Sequence, residues 1–262
     1  MDQPIRIIQI SDMHLYADTS HVLLGVNTED SLQAVIDLLK EEKFDLLIMT
    51  GDISQDSSNA AYARIAKRLD EFNVPVYWLP GNHDDPQVMM SIYPQHRVLN
   101  DKHVVLDNWH LILLDSHKHH AVEGYLADEQ FTYLEKCLKA YPDKKAVVLL
   151  HHHPLKVGSE WLDNLGLANA DSFWEKIHRY PQVKMVLFGH VHQAFEQRKM
   201  DIQCYSVPST CFQFKSHQDD FGLEKLPPGY RSILLYPDGR IETEVKRAKH
   251  YVGYFDGNAK GY

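Results

Sequence analysis

Two histidines, His190 and His192, follow an apolar run that ends in Gly189. Side chains at positions i and i+2 of an extended segment point to the same side, so both imidazoles are expected to face one place. Histidine is a common metal ligand and a common acid–base group. The pair therefore predicts either a metal site or a proton-transfer site at the end of a strand.

Other apolar runs also end in side chains that bind metals or transfer protons. These are Asp12 and His14 after IIQI, Asp52 after LLIMT, Asn82, His83 and Asp84 after VYWLP, and His151, His152 and His153 after VVLL. Ligands of open α/β sheets bind beyond the carboxyl ends of the strands. Each cluster alone is compatible with a turn, a helix cap or a buried core histidine. Their joint occurrence favours one functional site.

The elements that position these clusters follow from the hydrophobic pattern. Short apolar runs predict strands at 5–10, 44–50, 74–80, 110–115, 146–151 and 183–189. Amphipathic periodicity predicts helices at 31–43, 59–72, 128–140 and 170–180. Strand-like segments follow from about residue 202, with an Asp238-Gly239 hairpin turn. The pattern predicts an α/β fold, with one domain over residues 1–247 and a C-terminal tail over 248–262 that drapes over the surface or frays.

Charge and cysteine content limit the partners and the compartment. The formal charge of −9 argues against nucleic acid as a partner, although a metal ion could still hold a small anion. Three cysteines without a CxxC motif, and no apolar leader, predict a reduced, cytoplasmic protein. The chain has no run of 18 apolar residues, so no membrane association is expected. The pattern leaves open whether the protein is a monomer or a homodimer.

The five clusters, in this order, resemble those of the calcineurin-like metallophosphoesterases. The flanking stretches resemble the bacterial 3′,5′-cyclic-AMP phosphodiesterases, or class III cyclic nucleotide phosphodiesterases; they are LLGVNTEDS (23–31), ILLDS (112–116), HHHPL (151–155) and VPSTCFQF (207–214). The likeness extends from about residue 5 to 247. It implies a four-layer αββα sandwich of the metallo-dependent phosphatase type, with two mixed sheets flanked by helices.

The resemblance also implies a site with two metal ions and a role for each cluster. One ion would be held by Asp12, His14 and His192, the other by Asn82, His151 and His190, with Asp52 bridging both. His83 would be catalytic, contacting the phosphoryl group and assisting the leaving O3′, or it would orient a ligand. The implied substrate contacts are His14, Asp52, Asn82, His83, His151 and His192. Mixed nitrogen and oxygen donors suit iron, manganese, zinc or cobalt, and the resemblance favours iron and manganese.

The implied reaction is hydrolysis of 3′,5′-cyclic AMP to 5′-AMP by a hydroxide that bridges the metal ions. Two divalent ions, two ligand carboxylates and one hydroxide leave a net positive charge that attracts a diester. The alternatives are another small phosphodiester, such as a 2′,3′-cyclic nucleotide, a glycerophosphodiester or a UDP-linked lipid precursor, and a scaffold that has lost activity. Related serine/threonine phosphatases carry Arg before the Gly-Asn-His motif, where this chain has Pro80. An Arg fork suits a monoester dianion, so its absence favours a diester.

For several residues near these clusters we favour a structural interpretation. Phe212 and Phe214 could stack on a base, but alternating aromatic residues in a strand more often pack in a core. Asp84 could orient His83, although capping of the helix that follows is favoured. Three further histidines, His117, His119 and His120, are interpreted as surface residues.

Overall fold

The computed structural model describes residues 3–251, 253, 255–256, 259 and 261. The strands are β1 (Ile5–Ile10), β2 (Val22–Leu23), β3 (Val26–Asn27), β4 (Leu46–Thr50), β5 (Val76–Leu79), β6 (His103–Val105), β7 (Trp109–Leu113), β8 (Lys145–Leu149), β9 (Val183–Phe188), β10 (Glu196–Lys199), β11 (Ile202–Ser206), β12 (Gln213–Phe214), β13 (Leu223–Glu224), β14 (Gly229–Leu235) and β15 (Ile241–Arg247). The helices are α1 (Thr28–Leu39), α2 (Asn59–Leu69), α3 (Pro86–Ile92), α4 (Asp128–Ala140), α5 (Glu160–Asp163) and α6 (Ala170–His178), and a 3₁₀ turn at Asp70–Phe72 continues α2.

Two mixed sheets organise the described part of the chain. The first has the order β15-β14-β1-β4-β5, in which β1, β4 and β5 are parallel and the β14–β15 hairpin is antiparallel. The second has the order β10-β11-β9-β8-β7-β6, with a parallel centre and an antiparallel strand at each edge. The carboxyl ends of the parallel strands carry the loops that build the site.

Side chains on the central strands are buried on both faces, which explains their nearly continuous apolar sequences. In β1, Ile7 packs between the two sheets, together with Leu111 and Leu187 of the second sheet. Its neighbour Ile8 points to the opposite face and packs against α1 and α2. The outer face of the second sheet is covered in the same way by α4 and α6. The predicted four-layer αββα sandwich is confirmed.

The helices begin where local chemistry satisfies their first backbone N–H groups. Asn27 caps α1 by accepting from the N–H of Asp30, and Ser58 caps α2 by accepting from that of Ala61. The helix predicted at 31–43 therefore begins earlier, at Thr28, and it ends at Leu39. A polar residue before a helix is a better marker of its start than the first periodic apolar residue.

Several short elements have no counterpart in the sequence-based prediction. They are the strands β2, β3, β6, β10 and β13 and the helix α5. Strand β10, with the sequence EQRK, is polar on both faces because it lies at a solvent-exposed edge. The α5 helix is four residues long, too short to show helical periodicity.

The predicted tail, residues 248–262, contains positions outside the described residues. Among those described, the backbone N–H of Asp256 donates to the carbonyl of Leu24, and Phe255 packs on the core beneath the second sheet. Strand β15 ends at Arg247, and the division of the chain at that point stays a prediction. Within the described chain, every helix is too short or too polar to cross a lipid bilayer.

Candidate metal centre

Loops from both sheets meet at one end of the sandwich and bring the candidate ligands together. The first sheet contributes Asp12 and His14 after β1, Asp52 after β4 and Asn82 after β5, and the second contributes His151 after β8 with His190 and His192 after β9. All except the half-buried Asn82 are buried. The site therefore depends on how the two sheets are packed together.

One group of donors is formed by Asp12, His14 and His192. The Nε2 atoms of His14 and His192 lie 3.2 Å apart, and Nε2 of His192 lies 3.5 Å from Oδ1 of Asp12. Their ligand atoms all lie within 4.8 Å of one another. This is a spacing at which one metal ion can bind all three.

The second group surrounds His151. Its Nε2 lies 3.2 Å from Oδ1 of Asn82 and 3.3 Å from Oδ2 of Asp52. The ring of His190 lies 5.1 Å from the ring of His151, centroid to centroid. The same oxygen of Asp52 is 3.8 Å from Nε2 of His14. Asp52 thus lies between the two groups, as a bridging ligand would.

Hydrogen bonds on the far side of three rings fix which nitrogen faces the centre. Nδ1 of His151 donates to the carbonyl of Thr50 at 2.7 Å, and Nδ1 of His192 donates to that of Phe212 at 2.9 Å. Nδ1 of His14 donates to the side-chain oxygen of Gln55 at 2.6 Å. In the neutral form of each ring the proton is therefore on Nδ1, and Nε2 is the nitrogen that faces the centre, as in metal-ligating histidines.

The donor set fits metal ions because acceptor atoms face one another. With Nδ1 protonated on both rings, the facing Nε2 atoms of His14 and His192 have no proton between them. Oδ2 of Asp12 and Nε2 of His190 are buried without a hydrogen-bond partner, an arrangement that is costly unless a cation satisfies it. Nitrogen and oxygen donors without a thiolate suit iron, manganese, zinc or cobalt.

Most of the candidate ligands have an unusual backbone conformation. Five of them have positive φ: Asp12 (55°), His14 (49°), Asp52 (49°), His190 (67°) and His192 (47°). A left-handed conformation costs a residue with a side chain roughly 1–2 kcal/mol. Such strain concentrates at functional sites, where the surrounding structure enforces it. Tight turns at the strand ends thus aim these side chains inward at an energetic cost.

Glycine is required where the loops approach one another most closely. Gly51 has φ 94°, and a Cβ there would lie 2.4 Å from Nδ1 of His151. A Cβ on Gly81 would lie 2.2 Å from Oδ1 of Asp52 and 2.4 Å from its backbone N. Both positions need glycine for packing, in addition to any need for a turn.

Asp84 connects the loops after β4 and β5, and the prediction that it caps the following helix was wrong. Asp85 is the cap of α3, accepting from two backbone N–H groups of its first turn. Asp84 is buried and accepts from the N–H groups of Gly81 at 2.9 Å and Ser54 at 3.0 Å. Burial and the charge of Asp52 raise its pKa to about 6.

Burial also sets the protonation of the metal-free centre. It lowers the pKa of His14 to about 3 and raises that of Asp12 to about 7. Burial also disfavours the charged form of His151. The negative charge of Asp52 and the hydrogen bond between Asp52 and His151 outweigh burial and raise the pKa of His151 to about 9. Burial likewise opposes ionisation of Asp52, yet the positive charge of His151 keeps its pKa well below the usual value. The metal-free centre therefore contains an ion pair between Asp52 and His151.

His83 lies where the centre opens to solvent. Its backbone N–H donates to Oδ1 of Asp52 at 2.9 Å, and its half-buried ring contacts the ring of His14 edge-on at 5.0 Å between centroids. His83 and Asn82 line a cleft of about 700 Å³. A cleft of this size is typical of sites for small molecules.

The neighbouring histidine His152 is close to the centre but already bonded. It lies within ligand distance of His151 and His190. Its Nδ1, however, is 2.8 Å from the hydroxyl of Ser116, and its Nε2 is 3.1 Å from the carbonyl of Val122. With both ring nitrogens bonded to the protein, His152 supports the structure around the centre.

Two groups to which sequence reasoning assigned no such role hold the ligands in place. Gln55 bonds to His14 from three positions after Asp52, and no recognisable motif marks it. Phe212 holds His192 through its backbone carbonyl, which a side-chain pattern cannot reveal. The favoured interpretation of Phe212 and Phe214 as core residues is confirmed, since their exposed fractions are 0% and 3%.

Comparisons with known proteins identify the family and support the fold. Residues 5–194 match the family described as calcineurin-like phosphoesterase. The chain is 41% identical over 264 residues to a 3′,5′-cyclic adenosine monophosphate phosphodiesterase of Vibrio vulnificus, covering 100% of this chain and 96% of the relative. It is 39% identical over 249 residues to a 3′,5′-cyclic-nucleotide phosphodiesterase of Nostoc, covering 94% of each chain. A solved dimetal phosphatase from Danio rerio has a TM-score of 0.66 at 14% identity, covering 94% of this chain and 100% of the other, which supports the fold alone.

Proposed function

The chain belongs to the calcineurin-like phosphoesterase family, and from that premise we propose that it hydrolyses 3′,5′-cyclic AMP to 5′-AMP. The observation that carries the proposal is the position of Asp52 between two groups of buried donors, beside a cleft that His83 borders. The full-length similarity to phosphodiesterases of cyclic nucleotides supports the choice of substrate.

In this proposal, seven side chains would hold two metal ions. Asp12, His14 and His192 would bind one, Asn82, His151 and His190 would bind the other, and Asp52 would bind both. A bound metal pair supplies a hydroxide nucleophile near neutral pH and offsets the charge of the phosphoryl group. We propose iron or manganese as the native metals, with zinc and cobalt as the alternatives that suit the same donors.

The residues of the chain orient the diester and complete the proton transfer. His83 lies at the cleft side of the centre, held by its backbone bond to Asp52. From there an imidazolium could donate an N–H hydrogen bond to the phosphoryl oxygen and give its proton to O3′ as the P–O3′ bond breaks, leaving a neutral imidazole. The new P–O bond comes from hydroxide, so the product is a 5′-phosphomonoester with a free 3′-hydroxyl.

The lining of the cleft supports a diester over a monoester. Among the described residues that line it, none is Arg or Lys. A monoester dianion is usually held by a bidentate Arg, whereas a diester has one negative charge. The three cysteines are buried and unpaired, which supports the further proposal of a reducing, cytoplasmic setting.

The test is an assay of protein loaded separately with each of the four metals. We expect conversion of cyclic AMP to 5′-AMP, and a loss of at least about 100-fold in kcat/KM for Asn82→Ala, which removes a proposed ligand. Asn59→Ala, at the exposed start of α2, is the matched control and should retain activity.

The same assay separates the alternatives. No product with any metal, or full activity in Asn82→Ala, would contradict the proposed chemistry. A higher kcat/KM for a 2′,3′-cyclic nucleotide, a glycerophosphodiester or a UDP-linked lipid precursor would keep the metal chemistry and overturn the choice of substrate.

A further inference from the structure

Part of the lining of the cleft that His83 borders is a loop that the metal centre does not use. This histidine loop, residues 117–122, lines the cleft through His117, His119, His120, Ala121 and Val122. His117 is half-buried, and the next two histidines are exposed. The rings of His119 and His120 lie 3.8 Å apart, centroid to centroid. The exposure of His119 and His120 agrees with their interpretation as surface residues, but the surface on which they lie is the lining of a substrate-sized cleft.

The histidine loop is fixed relative to the metal centre by His152. Its Nδ1 bonds to Ser116 just before the loop, and its Nε2 bonds to the carbonyl of Val122 at the loop's end. Gly124 packs so closely on the same ring that a Cβ there would lie 2.3 Å from it. Because His152 directly follows the candidate ligand His151, the loop has a defined position relative to the metal centre.

A second cavity also borders the centre. The two cavities differ in whether the candidate ligands that line them are exposed. That cavity, of about 370 Å³, is lined by His192, Gln193, His217 and Arg247 among others. His192 is fully buried, whereas Asn82 and His83 are half-exposed on the side of the 700 Å³ cleft. A phosphoryl group that touches His83 therefore extends its substituents into the cleft, towards the histidine loop.

Resting on the proposed function, we propose that the histidine loop binds the nucleoside part of the substrate. The rings of His117 and His119 lie 6.4 Å apart and are tilted by 58° to each other, so one would stack on the face of the base while the other contacts its edge. Every nucleobase has a π-face, and stacking on an aromatic ring is worth roughly 1–3 kcal/mol per base. Burial lowers the pKa of His117, so its ring is neutral and suited to stacking. The loop then determines affinity for the nucleoside, while the metal centre performs the chemistry.

The experiment compares the double variant His117→Ala/His119→Ala with wild type in the metal-loaded full chain. His120 is left unchanged because its φ of 58° would strain an alanine. We expect KM for cyclic AMP and the inhibition constant of 5′-AMP to rise about five-fold or more, the low end of the stacking range. The value of kcat and the inhibition constant of inorganic phosphate, which has no base, should stay unchanged. His117→Phe/His119→Phe, which keeps two flat rings, should restore KM.

His217→Asn in the other cavity is the matched control, because Asn tolerates the φ of 55° at that exposed position. It should leave KM unchanged. An unchanged KM in the double alanine variant, an equal loss of affinity for phosphate and 5′-AMP, or a rise in KM for His217→Asn instead would overturn the role of the loop. Wild-type protein that does not hydrolyse cyclic AMP with any metal would overturn the proposed function itself, and that result is obtained before any variant is compared.

Discussion

Gln55 holds the ring of His14 through a hydrogen bond of 2.6 Å from Nδ1 to its side-chain oxygen. Gln55 is not among the described residues that line the cleft beside His83. Partners of this kind fix the tautomer and orientation of a ligand and raise its basicity. Side chains that orient a ligand therefore contribute to the site even though they do not touch the substrate.

Replacement of Gln55 by leucine tests this role. Gln55→Leu keeps a similar volume but removes the acceptor for His14, so the ring can rotate or take the wrong tautomer. We expect metal affinity or kcat to fall about 10- to 100-fold, measured by metal titration and steady-state kinetics. Gln33→Leu on α1, whose amide bonds to Asp37, should behave as wild type. Equal metal affinity in both variants would show that His14 is oriented by other contacts.

The ion pair between Asp52 and His151 gives the metal-free protein a distinctive titration. The pKa of His151 is raised to about 9 in the folded protein, above the 6.5 of the unfolded chain. The stabilisation that it gives is thus present below about pH 6.5 and is lost as the pH rises through about 9. We expect NMR of the metal-free protein to show the His151 ring titrating near pH 9.

The Asp52→Asn variant provides the contrast for that titration. Without the carboxylate charge, burial is the largest influence on His151 and should bring its pKa below the usual value. A titration near neutral pH that does not change in Asp52→Asn would contradict the ion pair. In the wild-type protein a metal ion must displace the proton on His151, so metal affinity should increase from pH 7 towards pH 9.

Sequence reasoning could place the candidate ligands because each directly follows an apolar strand. Each motif alone is compatible with a turn or a cap, and it is their joint order, with the family resemblance that this order carries, that singles out the ligands. Contacts such as those of Asp84 and Gln55 depend on how two loops meet, and that distance is not encoded in the local pattern. The same holds for His117, whose place in the cleft follows from a hydrogen bond between His152 and Ser116.

At the scale of elements, the loops after β4 and β5 are packed in direct contact through two glycines. Strands β4 and β5 are parallel neighbours, so their carboxyl ends lie side by side. Asp84 then joins the two loops by accepting from Gly81 and Ser54. The long strands and helices were predictable because their apolar periodicity is sustained, whereas α5 and β10 were not, because they are short and polar.

Because these loops are closely packed, we expect a single added methyl group at Gly81 to lower kcat strongly. In Gly81→Ala the new Cβ would clash with Asp52 at both its backbone N and its carboxylate, at 2.4 and 2.2 Å. Relief requires movement of the loop that carries Asn82 and His83. Since a misplacement of about 1 Å can cost 100-fold in rate, we expect a loss of about that size in kcat.

Gly222→Ala is the control for the same substitution. There the Cβ would meet the flexible side chain of Lys215 at 3.3 Å, and activity should be retained. Both variants should fold, as judged by circular dichroism and thermal unfolding. Wild-type kcat in Gly81→Ala would show that the two loops can separate without disturbing the centre.

At the scale of the whole molecule, the candidate ligands come from both sheets. Four lie on loops of the first sheet and three on loops of the second. Below the centre the sheets are joined by an apolar layer that includes Ile48, Leu149 and Leu187. Metal ions at the centre would add bonds across the same interface. The ions would thereby stabilise the packing of the two halves, in addition to their chemical role.

Removal of metal should therefore lower the stability of the entire fold. An ion that binds only the folded chain adds ~2.7 kcal/mol when its concentration is 100 times its Kd, and each kcal/mol shifts Tm by roughly 2–4 °C in a large domain. We expect a chelator to lower Tm by several degrees and added manganese to restore it, measured by calorimetry at pH 7.5. Asp52→Asn, which lacks the bridging carboxylate, should respond little to either addition. A wild-type Tm that is the same with and without chelator would mean that the two sheets are held together by their apolar layer alone.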